Sequence, residues 1–327
     1  MGDSLLMLSS GFASTAAYRP VCATLAGGLR ERGWRVITAS GSTGRIRRTV
    51  DMLLTAWRAR DRYRIAQVDV FSGAAFGWAA LSVHLLAALG KPIVLTLHGG
   101  GLPELAERLP VERVLARAAA ITAPAPMPPF DPIVIPNPLG AGFRHRQRDG
   151  VRPRLVWVRA LHRLYAPGAA VEVVRLLRPH EPAVHLTLIG PDKDGTRARL
   201  RRTIAAAGLG EHITLAGGLP PEAIPARLDA ADVFLNTSTV DNLPVSVVEA
   251  LASGLCVVST AHGGLPDLLA GAGLLAADPP AMAGAVRRLL RDEDLAARLS
   301  AAGKGRAAPF EREAVLTQWE ALLRSVS

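Results

Sequence analysis

At 327 residues, with 49% hydrophobic and 20% charged residues, the chain has room for two ordinary domains and the composition of a globular rather than a disordered protein. Aromatic residues make up only 5%, which argues against a stacking platform for single-stranded nucleic acid, and no segment approaches the roughly 18–20 uninterrupted apolar residues that cross a bilayer. The net charge of +10 is uneven, because residues 1–149 hold 18 of the 38 Lys/Arg but only 10 of the 28 Asp/Glu.

Apolar strand-like runs alternate with helical patterns along the chain. The stretch Leu5-Leu6-Met7-Leu8 is too short for a secretory leader and follows no basic segment, so it reads as a first strand. Further strands are expected at 34–39, 65–71, 92–97, 119–122 and 133–135, with helices between them at 21–32, 45–62 and 77–89. A second set of strands is expected at 154–158, 185–189, 213–216, 233–236 and 256–259. Strand–helix alternation argues for parallel sheets covered by helices on both faces, and two such sets argue for two doubly wound domains. The two cysteines, Cys22 and Cys256, lie far apart without metal-ligand spacing, which suits a reducing, cytoplasmic compartment.

Two stretches break the pattern. Residues 45–64 carry seven arginines against Asp51 and Asp61, and Ile46, Val50, Leu53, Leu54 and Trp57 recur there at helical spacing. This is a basic amphipathic helix, suited to peripheral contact with anionic lipid, to a phosphorylated acceptor, or simply to a solvated face. Pro124, Pro126, Pro128, Pro129, Pro132, Pro136 and Pro138 crowd a second stretch. Proline-rich chain resists regular structure and suits an interdomain connection. The expected domains are therefore 1–145 and 146–309, with a terminal helix in 310–327 packing back toward the first.

The most informative segment runs from Asn236 to Gly254. A strand ends at Asn236, a polar loop containing Asp241 and Asn242 follows, and a helix opens near Pro244, where proline at the first turn is favoured. Gly254 reads as its C-terminal stop. The carboxyl end of a parallel strand, followed by a helix N-terminus, is where ligands collect in open sheets, and the free amides there suit phosphate oxygens. Glu249 lies eight positions after Asp241. The helical rise puts the two carboxylates roughly 8–12 Å apart, a span for gripping hydroxyls at two ends of one ligand. A helix-start Asp and a surface Glu with no ligand are equally compatible with this spacing.

This segment resembles the E-x7-E region of retaining glycosyltransferases of family 4, and Leu255 to Asp267, with His262-Gly263-Gly264-Leu265-Pro266-Asp267, is similar to the family's Gly-Gly-Ile-Pro-Glu element. In order along the chain, Thr96-Leu97-His98-Gly99-Gly100-Gly101 resembles the N-terminal His-Gly element. Val134-Ile135-Pro136-Asn137-Pro138, with Phe143, resembles the Ile-Pro-Asn crossing, and Leu186 to Gly190 and Ile213 to Gly217 resemble two C-domain strands. The resemblance implies the GT-B architecture, an α/β fold of two facing Rossmann-like domains with parallel sheets and an interdomain cleft.

It also implies roles. Glu249 would bind the nucleotide ribose and Asp241 hydroxyls of the transferred sugar, while Asn242, Leu243, Pro244 and Val245 would meet the diphosphate. Arg159 matches the family's phosphate-binding arginine, and a guanidinium fork suits phosphate. His98 would lie at an exposed position near the transferred sugar, with Gly99 and Gly100 allowing close backbone approach. Arg163 and Gly217 would line the nucleotide-sugar site, and Lys193 would stand in for the family's usual lysine, which is Leu164 here. Gly11 and Phe12 would lie on the acceptor side. With Asp241-Asn242-Leu243-Pro244 in place of the usual Glu-Gly start, and Tyr165 six positions after Arg159, the chain resembles a subgroup with Arg-(x)5-Tyr and Asp-Asn-x-Pro.

The implied activity is sugar transfer with retention from a nucleotide-diphosphate sugar, a UDP-sugar by default and GDP-mannose next. The acceptor would be a glycan, a lipid-linked molecule or a small natural product. No metal, cofactor or nucleic acid is expected: no His/Asp/Glu cluster has metal spacing, and no Gly-x-Gly-x-x-Gly follows the first strand. A nucleotide-sugar epimerase of the same architecture and a non-catalytic nucleotide-sugar-binding subunit remain as alternatives.

Overall fold

The computed structural model describes residues 3–13, 21–42, 44–98, 101–240 and 243–327. The chain divides into two compact units, Met1–Pro138 with Phe310–Ser327, and Leu139–Pro309.

In the first unit, strands β1 (Ser4–Leu8), β2 (Arg35–Ala39), β3 (Ile65–Phe71), β4 (Ile93–His98), β5 (Ala120–Ala123) and β6 (Ile133–Val134) form one sheet in the order β2-β1-β3-β4-β5-β6. Every pairing is parallel. All five residues of β1 are buried, as expected of a strand covered on both faces. Alternate side chains explain how: Leu6 and Leu8 join the core under the helices Arg45–Arg58 and Phe76–Ala88. Leu5 and Met7 face Val21–Glu31 and the terminal helix Arg312–Ser325.

That terminal helix is held by charge as well as by Val315, Leu316 and Trp319. Arg32 reaches Glu313 at 2.6 Å and Glu320 at 2.7 Å, and Trp34 Nε1 donates to Glu320 at 3.0 Å. The basic helix stops at Arg58 rather than continuing to Arg62. Its cap residue Ala59 closes on Thr55 and Trp57 carbonyls, and the buried Tyr63 hydroxyl donates to the Ala56 carbonyl at 2.9 Å, turning the chain back toward β3.

The second unit repeats the plan with β7 (Arg154–Val158), β8 (His185–Ile189), β9 (Ile213–Gly217), β10 (Val233–Asn236), β11 (Cys256–Ser259) and β12 (Gly273–Leu275), ordered β12-β11-β10-β7-β8-β9 and again parallel. The three-residue β12 was not expected, since Gly273-Leu274-Leu275 is too short to show a period. The division falls at Pro138/Leu139, ahead of residue 145, because the connecting residues are anchored in the second unit. Arg148 is fully buried and donates to the carbonyls of Ser253 at 2.6 Å and Ala231 at 2.8 Å. Arg146, Arg148 and Arg152 surround the Asp232 carboxylate at 3.0, 3.4 and 2.8 Å.

Each sheet has one place where strand order reverses. The chain runs β7 to β8 to β9 and then crosses to β10 on the other side of β7. In the first unit it runs β1 to β2 and then crosses to β3. At such a reversal the loops leaving the two strands part in opposite directions and open a crevice at the carboxyl ends.

Candidate functional site

At the β7/β10 reversal, a relay of hydrogen bonds builds the floor. Trp157, buried near the end of β7, donates from Nε1 to Thr237 Oγ1 at 2.9 Å. Thr237 Oγ1 in turn donates to the Tyr165 carbonyl at 2.8 Å. Two residues on, Thr239 closes on the Leu164 carbonyl through its amide at 3.0 Å and its hydroxyl at 2.8 Å. The short helical turn Arg163–Tyr165 is thus clamped against the loop leaving β10. Its Tyr165 ring lies under the Arg159 guanidinium, 4.4 Å from Cζ to the ring centroid, a cation–π contact that restricts the arginine's freedom. Arg159 directly follows β7, and its amide donates to the Ile189 carbonyl at 3.0 Å.

Deeper down, Asn236 donates to Ser259 Oγ at 2.9 Å, Ser238 donates to Asn236 Oδ1 at 3.0 Å, and Thr260 donates to the Ser238 carbonyl at 2.6 Å, all buried. Thr260 satisfies a loop carbonyl and the side chains of Asn236, Ser238 and Ser259 satisfy one another, so the loop after β10 starts from a rigid base.

The helix that follows spans Val245–Ala252, with Pro244 as its N-cap. Pro244 thus precedes the helix instead of occupying its first turn. Its extended conformation, φ −71° and ψ 120°, turns its carbonyl toward the helix, where it accepts from Val247 at 3.0 Å. Among the described residues no side chain caps the end, which leaves the positive end of the helix and its first amides at the carboxyl edge of β10. Leu243 is half-buried and Pro244 buried, while Val245 opens the helix half-buried. Glu249, one turn further, is half-buried, and burial pushes its carboxyl up to about 7. Gly254 ends the segment at φ 78°, where a Cβ would strike the Arg146 carbonyl.

The other expected residues line the same carboxyl edge. The loops after β7 and β8 are zipped together by a bridge between Leu161 and Asp192, with Lys193 N donating to the Leu161 carbonyl at 3.1 Å. Arg163 and Lys193 are both exposed, and the Arg163 amide donates to Asp194 at 3.2 Å. Gly190 packs so closely on the Arg159 carbonyl that a Cβ there would overlap it. Gly217 ends β9 next door. Asp241, Asn242, Gly99 and Gly100 lie outside the described residues.

The first unit presents a different chemistry at its own carboxyl edge. His98, the last residue of β4, is not exposed as expected: its side chain is 18% exposed and stacks on Phe71, ring centroids 4.9 Å apart. His98 Nε2 lies 3.0 Å from Asp69 Oδ1 on the neighbouring strand β3. Gln67 donates to Asp69 at 2.7 Å and to Thr96 Oγ1 at 2.8 Å, and Thr122 donates to Thr96 at 3.1 Å. Burial by itself would raise the Asp69 carboxyl. The facing His98 and the hydrogen bonds from His98, Ser9 and Gln67 outweigh it and hold the group below the usual carboxylate range. The charged carboxylate therefore accepts from His98 Nε2–H, and the ring turns Nδ1 away from it. Asp69, His98, Gln67, Cys22 and Asn137 line one small pocket. Gly11 and Phe12 lie in the short helical turn Ser10–Ala13 after β1, and Phe12 packs against the core of Leu5, Met7 and Leu25.

Residues 144–306 match the family described as Glycosyl transferases group 1. They form a glycosyl transferases group 1 domain. The matched span falls inside the second unit, Leu139–Pro309. Over 135 residues the chain is 33% identical to the amylovoran biosynthesis glycosyltransferase AmsK of Erwinia amylovora, covering 39% of this chain and 33% of that protein. Over 196 residues it is 28% identical to a GDP-mannose-dependent alpha-(1-6)-phosphatidylinositol monomannoside mannosyltransferase of Mycobacterium tuberculosis, covering 56% and 48%. The matched regions thus span between a third and a half of these relatives' lengths. Among solved structures, sucrose-phosphate synthase from Thermosynechococcus elongatus superposes over 99% of both chains with a TM-score of 0.77 at 18% identity. Anabaena HepE in complex with UDP-glucose superposes over 98% of this chain and 99% of its own, with a TM-score of 0.76 at 15% identity. The fold is GT-B.

Two features escaped the sequence reading. The Trp157–Thr237 relay had no local signal, since a tryptophan in an apolar strand reads as core. Asp69 did have one: a lone carboxylate inside Val68-Asp69-Val70 is out of place in a buried strand unless a partner awaits it.

Proposed function

We propose that the protein is a glycosyltransferase that moves a sugar, with retention, from a nucleotide-diphosphate sugar to an acceptor hydroxyl. The observation that carries this reading is the β7/β10 crevice of the group 1 domain. There a guanidinium restrained on Tyr165 and a helix N-terminus open from the same carboxyl edge, with Glu249 one turn into the helix. Fixed cationic and amide donors fit a diphosphate, and they act most strongly as charge builds on the departing group. In this reading Arg159 and the amides around Val245 hold the pyrophosphate and Glu249 accepts from the ribose. Asp241 and Asn242 take the transferred sugar and its phosphate, and Arg163, Lys193 and Gly217 flank the nucleotide. The charge of the diphosphate is met by the protein's own groups, so the reading requires no metal.

A UDP-sugar is the first donor to test and GDP-mannose the second. HepE is described in complex with UDP-glucose, and the mycobacterial relative is a GDP-mannose-dependent enzyme. The acceptor class is a glycan, a lipid-linked molecule or a small natural product. His98, held by Asp69 and Phe71, is the proposed imidazole of the sugar-transfer chemistry.

A thermal-shift screen with UDP-, GDP-, ADP- and TDP-sugars tests the donor, since a ligand of the folded state raises its melting temperature. One nucleotide series should stand out. Acceptor-dependent release of the nucleoside diphosphate then separates a transferase from an epimerase or a binding subunit. No shift with any nucleotide sugar overturns the reading.

A further inference from the structure

We infer that the helix Arg45–Arg58 is a docking surface for an anionic lipid bilayer. The helix has two apolar faces, and only one is used inside the protein. Met52 and Ala56 are fully buried against the first unit's core. Ile46, Val50, Leu54 and Trp57 form a second stripe that the fold leaves in water, with relative exposures of 83%, 48%, 41% and 51%. At about 100° per residue these four fall within a sector of about 80°, and Arg47 and Arg58 lie along its edge. Arg45, Arg47 and Arg58 are exposed, as are Arg62 and Arg64 just beyond the helix. Arg60 sits over the Trp57 ring, its Cζ 5.0 Å from the centroid.

The combination selects the partner. Arginines alone would serve any polyanion, including a phosphorylated sugar or a nucleic acid, because a phosphate needs only forked donors. Four large apolar side chains in a row add nothing to such a contact and cost solubility when left exposed. At a bilayer both halves are used. The aliphatic stripe enters the headgroup–acyl boundary, Trp57 takes the interfacial position its ring favours, and the flanking arginines meet anionic headgroups. No described helix is long and apolar enough to cross a membrane, so the contact lies in the plane of the surface.

The test uses the full chain without nucleotide, so its outcome is independent of the donor reading. Sedimentation with vesicles of phosphatidylglycerol and phosphatidylcholine in equal parts is compared with vesicles of phosphatidylcholine alone, at low and high salt. The protein should sediment with the anionic vesicles, and less so as salt rises. Ile46→Ser and, separately, Trp57→Ser should each weaken partitioning by about tenfold or more, the loss expected when one large apolar side chain no longer leaves water. Arg47→Gln combined with Arg58→Gln should reduce binding to anionic vesicles only. These side chains are exposed, so melting temperatures should stay unchanged; Leu54→Ser replaces any variant whose melting temperature falls. No sedimentation with anionic vesicles overturns the inference. So does wild-type binding by both Ser variants, or binding that inorganic polyphosphate abolishes while those variants retain it, since either outcome makes the surface a general polyanion site.

Discussion

Both units are doubly wound parallel sheets with different strand orders, and they differ in what they place at the carboxyl ends of their strands. At β7/β10 the second unit offers a guanidinium over an aromatic ring beside a helix N-terminus. Across β3 and β4 the first unit offers a buried carboxylate already joined to an imidazole, within a network of Gln67, Thr96 and Thr122. The β7/β10 edge brings a guanidinium and helix amides together. The β3/β4 edge pairs its buried carboxylate with an imidazole and a glutamine amide. The same doubly wound frame thus hosts two chemistries, and the difference resides in a few side chains at strand ends rather than in the fold.

The sharpest way to break this contrast is Arg159→Ala. If the guanidinium stabilises the departing diphosphate, turnover should fall by about a hundredfold or more while donor affinity changes much less. Steady-state kinetics beside calorimetric donor binding checks this, and equal losses in both would make Arg159 a simple binding residue.

Glu249→Ala should come next, weakening nucleotide affinity by about tenfold to a hundredfold, the loss expected for hydrogen bonds to a charged acceptor. Unchanged affinity would refute the ribose placement. The pH dependence sharpens this test. Burial raises the Glu249 carboxyl from 4.5 to about 7, so the folded state holds this proton across a range where the unfolded chain has released it. Glu249 therefore costs no stability below the unfolded value, and its cost grows as pH rises from there to about 7. Glu249→Gln should raise the melting temperature above neutral pH and leave it unchanged near pH 4. Nucleotide affinity in the unmodified protein should rise with pH through about 7, with proton release on binding.

Asp69→Asn probes the other edge and should have the smallest effect, a fall of several degrees in melting temperature, because a buried charged hydrogen bond to His98 is lost. The Asp69 carboxyl sits below its ordinary range in the folded state. Its contribution is therefore present above the unfolded value and lost as pH falls through the folded one. The difference in melting temperature between Asp69→Asn and the unmodified protein should shrink in acid; a gap that persists there would mean the carboxylate's charge is not what stabilises the pair.

Strand–helix alternation, both parallel sheets and the helix start after β10 were legible in the sequence, because apolar runs and a proline beside a helix start are local signals. Pro244 and Glu249 could be singled out for the same reason, beside a readable helix opening, whereas Arg159 stood out only through the family resemblance. Other features depend on strand order and register. Asp69 meets His98 across 29 positions and Trp157 meets Thr237 across 80, and neither pairing leaves a period in the chain. The basic helix shows the division most plainly. Its sequence determines that it is amphipathic, but only tertiary packing decides that Met52 and Ala56 turn inward while Ile46, Val50 and Trp57 stay in water. A helix with apolar residues on two sides can bury only the side that its neighbours are shaped to meet.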